Sequence, residues 1–189
     1  KMEYDAVALG ERDLVYGSQF LKKYSIPFIS SNIDLEDFTL EKSRVKKLKN
    51  GIKIAVLSVV DPSLFYLKNH AGLKIPHPNQ ILSQEISRIR NSNSIDFLVL
   101  LTHMEKKESL KYLKKNGVDI VINGHIFSET DIVDMKPIQE IDKIFLQASP
   151  RGQKMGELRL IINEAGKISF KHRMVRLDSS INNDPEMVK

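Results

Sequence analysis

IDFLVLLTHMEKKESLKYLKKNGVDIVINGH, residues 95–125, decides the fold. Its first nine residues are a near-continuous apolar run of strand length that closes in threonine and histidine. Strands read this way when both of their faces are covered, as in the interior of a parallel sheet. EKKESLKYLKKNG follows with helical character, and Asn116-Gly117 supplies a stop signal for that helix. VDIVINGH, residues 118–125, is a second buried strand, closing in glycine and histidine. Strand, helix and strand in succession point to an α/β arrangement.

Working outward, the same alternation continues upstream. HPNQILSQEISRIRNS (77–92) carries Ile81, Leu82, Ile86 and Ile89 at helical spacing. SRVKKLKNGIKIAVLSVVDP holds two strand-like runs joined at Asn50-Gly51, a strong hairpin signal. The second of these, Ile52 to Val60, is apolar enough for a central strand and ends at Asp61-Pro62. Residues 4–9 read as a strand, 18–25 as a short helix, and 26–33 as a strand with Pro27 near its start. Downstream, residues 142–149, 156–163 and 167–177 read as three further strands, the last two flanking the turn NEAG. The tail from Asp178 is polar and reads as frayed chain or linker. Alternating elements followed by an antiparallel run predict a layered α/β fold with a mixed sheet over residues 1–177, with 178–189 as the tail.

Composition bounds the chemistry. The 189 residues suffice for one sizeable core. None is cysteine, which excludes disulfides, thiolate metal sites and covalent haem attachment within this chain. No apolar run reaches the roughly 18 residues that span a bilayer. The net charge is +5, with lysines concentrated in runs that read as solvated helix faces and hairpin tips. Aromatics are few and do not interleave with those runs, which argues against nucleic-acid binding. KMEYDAVALG runs almost directly into a strand without a signal-peptide pattern, and the expectation is that the natural chain starts upstream.

Three strand ends carry candidate chemistry. In open α/β sheets, ligands gather beyond the C-terminal ends of the strands. That edge would hold His103, His125 and the charged turn GERD, in which Glu11, Arg12 and Asp13 follow Gly10. Imidazole and carboxylate are natural ligands for zinc, manganese or iron. A lone histidine is more often a hydrogen-bonded core or surface residue, so both readings stay open for the pair. His70, His77 and His172 lie in loop or hairpin contexts and read as structural, and Asp61 reads as a turn former before proline.

Here the residues carry a resemblance. YDAVALGERDLVYG resembles a block of the calcineurin-like metallophosphoesterases, nearest the bacterial 5′-nucleotidase branch, that usually runs Y-D-A through L-G-N-H-E-F-D-Y-G. IPFISSNI, NGIKIAVLSVVDP, the 95–125 stretch and FLQASPRGQKMGELRLII are similar to its later blocks, in the same order. The resemblance implies a layered α/β/β/α sandwich with mixed sheets, lacking its first strands here, because the blocks D-x-H and G-D do not occur in these residues.

It also implies a two-metal phosphoester hydrolase, and several positions depart from that pattern. The metal-binding asparagine of G-N-H is Glu11, the next histidine is Arg12, and an aspartate three residues on is Val15. The histidine after L-(S/T) is kept as His103, and the first of G-H-x-H as His125, while the last ligand of that motif is Phe127. Glu11 can still ligate a metal. Arg12 can clamp a phosphate but cannot act as an acid near neutral pH. The expectation is a degenerate domain of little or no turnover with at most one divalent ion at Glu11, His103 and His125, acting as a binding or scaffold module. The resemblance further suggests an extracytoplasmic or periplasmic setting and a partner, either a protein completing the sheet edge or a multihaem cytochrome. The alternative is a working phosphoesterase with a rebuilt site.

Overall fold

The computed structural model describes residues 3–65, 72–126, 135–163 and 168–181. Its centre is a six-stranded sheet of β4 (Ser43–Lys47), β5 (Lys53–Val60), β7 (Phe97–His103), β8 (Ile120–Asn123), β10 (Lys143–Gln147) and β9 (Ile138–Glu140), in that spatial order. The four inner strands are mutually parallel, and the edge strands β4 and β9 run antiparallel to their neighbours. This is the mixed sheet that the sequence pattern predicts. The remaining strands are β1 (Val7–Ala8), β2 (Phe28–Ile29), β3 (Asp34–Leu35), β6 (Leu73–Lys74), β11 (Lys154–Ile162) and β12 (Ile168–Arg176).

After the short helix α1 (Ser18–Lys23) near the start of the chain, helices α2 (Pro78–Asn93) and α3 (Lys106–Lys111) cover one face of the sheet. Pro78 opens α2, and the His77 ring accepts from Asn79 N at 3.3 Å, so this histidine caps a helix as a structural residue. Leu82, Ile86 and Ile89 share one helix face and are buried against Leu57, Leu98, Leu100 and Val121. The other face of the sheet receives the antiparallel ribbon β11–β12, whose Leu158, Leu160 and Phe170 pack on Ile120, Ile144 and Leu146. With apolar layers on both sides, β7 and β8 need apolar residues at successive positions, which is why they read as unbroken runs.

Three expectations need correction. Residues 4–9 do not make a full strand: only Val7–Ala8 forms a ladder, parallel to Phe28–Ile29, and that neighbour is likewise cut to two residues. The chain leaves the pair at once, since Ser30 N donates to Glu41 O and Ser31 N to Ser58 O instead. The helix expected up to Asn116-Gly117 ends at Lys111 and tightens into a 3₁₀ turn, Tyr112–Lys114, that turns both Tyr112 and Leu113 into the core. The edge strand Ile138–Glu140 has no counterpart in the sequence pattern, being three residues long and largely exposed. The Asn50-Gly51 hairpin and the 156–163 and 167–177 strands are found, whereas the tip of the NEAG turn, His70 and Phe127 lie outside the described residues.

Candidate metal centre

Strand β1 leads into the buried Leu9 and then turns at Gly10. Asp13 closes the turn: its Oδ2 accepts from Gly10 N at 2.7 Å, and its own N–H donates to Gly10 O at 3.3 Å. Gly10 is required for space. A Cβ there would lie 2.8 Å from Cε1 and 3.0 Å from Nε2 of His103. The bare backbone therefore lets the imidazole lie flush against the turn and meet the next side chain, Glu11.

His103 ends β7. The two-residue period of the strand sends Leu98, Leu100 and Thr102 toward the helices and His103 toward the opposite face with Val99. His125 follows β8 by two residues. Nε2 of His103 is in hydrogen-bond contact with Oε2 of Glu11 and lies 3.2 Å from Nδ1 of His125. The two rings meet edge to face with centroids 4.7 Å apart. One ligand atom from each of Glu11, His103 and His125 lies within 4.8 Å of the others. The expected convergence at the C-terminal edge of the sheet is therefore what the fold produces.

The donor set fits a divalent cation. Nε2 of His103 faces both a carboxylate oxygen and a second imidazole nitrogen. Two imidazole nitrogens and one carboxylate oxygen within reach of one point are a donor set that suits zinc, manganese or iron. Burial pushes the Glu11 carboxyl up. Its own backbone N–H, the His103 hydrogen bond and the charges of His103 and His125 outweigh burial and hold it below the usual carboxylate range. An ionised Glu11 is the form that ligates.

Arg12 stands at the rim of a cavity of about 360 Å³ lined also by Gly10, Glu11, Asp13, His103 and Gly124. Its side chain is 92% exposed, and Nε lies 3.6 Å from Oε1 of Glu11. The guanidinium is thus solvent-exposed and paired with Glu11 beside that cavity. Val15 is half exposed and contributes no polar group. Asp61 behaves as the turn former expected, its Oδ1 accepting from Ser63 N at 2.8 Å, while its N–H donates to His103 O at 3.0 Å and ties the two strand ends.

Sequence reasoning missed what lies beneath the histidines. Thr102, Asn123 and Gln147 sit side by side on β7, β8 and β10, all buried. The signal that could have found them was positional: each is a polar residue at the C-terminal end of an otherwise apolar strand.

No protein-family model matches the chain. It is 24% identical over 212 residues to an apyrase from Tabanus yao, with 98% of this chain and 38% of that protein covered. It is 25% identical over 213 residues to a 5′-nucleotidase from Bos taurus, covering 97% of this chain and 37% of that protein. Among solved structures, a 5′-nucleotidase precursor from Thermus thermophilus superimposes with a TM-score of 0.73 at 18% identity, over 92% of this chain and 39% of that one. The chain spans well under half the length of the curated relatives it matches.

Proposed function

We propose that this chain, whose fold and relatives are those of the 5′-nucleotidase branch of the calcineurin-like metallophosphoesterases, is a binding module with one divalent ion at Glu11, His103 and His125 and little or no hydrolytic turnover. The observation that carries the reading is the meeting of these three donors at one strand edge, with Arg12 exposed beside them. A divalent ion held there would polarise a phosphoryl oxygen. The rest falls to the chain itself. Gly10 admits the imidazole, Asp13 fixes the turn, and Arg12 offers a fixed positive charge to a phosphate at the rim.

No general acid stands in the Arg12 position, because a guanidinium does not give up its proton to a leaving group. The lost acid–base help alone is worth about 10² to 10⁴ in rate. A partner, either a protein completing a sheet edge or a multihaem cytochrome, and an extracytoplasmic setting belong to the same proposal and rest on the sequence resemblance. Among the described residues, no helix is long and apolar enough to cross a membrane.

The second reading is an active phosphoesterase with a rebuilt site, favoured by the open approach to Arg12 and Glu11. Metal analysis and turnover separate the two. The first reading expects about one zinc or manganese per chain, lost in His125→Ala, and hydrolysis of p-nitrophenyl phosphate and of AMP at the background rate. Two ions per chain with brisk, metal-dependent release of phosphate would establish the second.

A further inference from the structure

The end of β8 is held from below by a buried side chain on the neighbouring strand β10. The Gln147 Nε2 amide donates to His125 O at 3.0 Å and to Asn123 O at 3.1 Å. The Asn123 Nδ2 amide donates to the same His125 O at 3.0 Å and to Gln147 Oε1 at 3.1 Å. Thr102 Oγ1 donates to Asn123 Oδ1 at 3.1 Å, and Thr102 and Ser109 hydroxyls share a bond of 2.6 Å. The backbone adds Gly124 N to Thr102 O and Ala148 N to Asn123 O, each at 2.8 Å.

The segment Asn123-Gly124-His125 must leave the sheet and turn its imidazole toward Glu11 and His103. Chain leaving a sheet loses its ladder partners, and its carbonyls must find others. Here the His125 carbonyl takes two side-chain amides, one for each lone pair. Gln147 spans both carbonyls of the departing segment, at residues 123 and 125, and so fixes their relative orientation. Gln147 is 3% exposed and Asn123 is fully buried, so water does not compete for these bonds.

We propose that Gln147 is a positioning residue for the metal centre: its side-chain amide clamps the backbone of His125, and so sets where that imidazole meets Glu11 and His103. The inference rests on the reading of those three residues as a metal site. It differs from a general packing role in what it touches. Ser109 belongs to the same buried polar layer but bonds Thr102 rather than residue 125. Loss of the Ser109 hydroxyl should cost stability and leave the site as it is; loss of the Gln147 amide should move the site.

The test uses cobalt(II) and zinc(II) on the full protein, with affinity from competition against a chelating indicator and coordination geometry from the cobalt visible spectrum. The metal-free melting temperature is measured alongside. Gln147→Met keeps the length of the side chain and removes every hydrogen bond it makes. The expected result is about 10- to 100-fold weaker binding, the size seen when partners behind a ligand are removed, with an altered cobalt spectrum. Ser109→Ala is expected to lower the melting temperature while keeping wild-type affinity and spectrum.

Should Gln147→Met fail to fold, Gln147→Leu serves. It likewise removes the amide that clamps the two carbonyls, and it is expected to weaken binding by a similar factor. Wild-type affinity and spectrum in the folded Gln147 variant would overturn the positioning role while leaving the metal site intact. Weakening of equal size in Ser109→Ala would also overturn it, in favour of a general packing effect. No binding of either ion by the wild-type protein would instead overturn the metal reading itself.

Discussion

At the scale of single residues, the site turns on how closely a backbone approaches an imidazole. Gly10 and Gly124 both lie beside His103, and only one is crowded. A methyl group at Gly10 would meet the ring at 2.8 Å, whereas at Gly124 its nearest neighbours are Thr102 O at 3.8 Å and His103 Nδ1 at 4.0 Å. Gly10→Ala must push His103 away from Glu11. We expect about 1–3 kcal/mol of destabilisation from overpacking, together with loss of measurable zinc binding by calorimetry. Gly124→Ala adds a methyl in ordinary contact and should keep both stability and affinity within about 0.5 kcal/mol, the range of a neutral substitution. Comparable damage from the two would mean that the His103 ring does not rest on the Gly10 backbone. Asp13 gives a milder case. Asp13→Ala frees the Gly10 N–H and opens the turn, at a cost of about 1 kcal/mol in chemical denaturation, as for other lost side-chain-to-backbone caps.

At the scale of elements, two left-handed glycines test which turns the core depends on. Gly51 has φ +90° at the tip of the β4–β5 hairpin with open space where a Cβ would go. Gly117 has φ +82°, and a Cβ there would lie 2.6 Å from Ile86 Cγ2 on α2. The backbone penalty for a side chain in this region is roughly 1–2 kcal/mol and is common to both. Crowding against α2 is an extra cost of about 1–3 kcal/mol for Gly117 alone. Urea titration should therefore rank Gly117→Ala well below Gly51→Ala in stability; equal midpoints would show that α2 gives way freely at Ile86. These same elements show how far the sequence could be read. β5, β7 and β8 announced themselves because apolar cover on both faces leaves an unbroken run in the chain. The meeting of His103 and His125 followed from strand ends sharing one sheet edge, and Glu11 reaches them from the separate β1–β2 pair. The stretch 4–9 has strand-like composition, yet its ladder shrinks to two residues because pairing is decided by a neighbour on a separate stretch of chain, Phe28–Ile29. The Asn123–Gln147 amide pair was hidden for a related reason: it exists only through the register of β8 against β10.

At the scale of the whole molecule, the two faces of the central sheet are covered to different degrees, and the strands that lead to His103 and His125 are shared by both. The helix-side cluster is nearly water-free, with Leu57, Leu82, Leu98, Leu100 and Val121 all at 0% exposure. The ribbon side rests on Ile120, Ile144 and Leu146 against Leu158, Leu160 and Phe170, of which the ribbon's own three are only partly buried. The ribbon's outer face is charged, and its Glu157 carboxylate between Arg159 and Arg173 is an exposed ion pair of small net worth. Elements with few buried contacts open first. Native-state hydrogen exchange should find the amides of β11–β12 opening at a lower free energy than those of β5, β7 and β8. The strands that end in His103 and precede His125, and β10 with Gln147, should fall in the slow-exchanging group. On the proposed metal reading, saturating zinc should slow exchange at the Glu11 turn and beyond β8 while leaving β11–β12 unchanged. Ribbon amides as slow as those of β7, or equally slowed by zinc, would show instead that the molecule opens as one unit and that the ribbon takes part in holding the site.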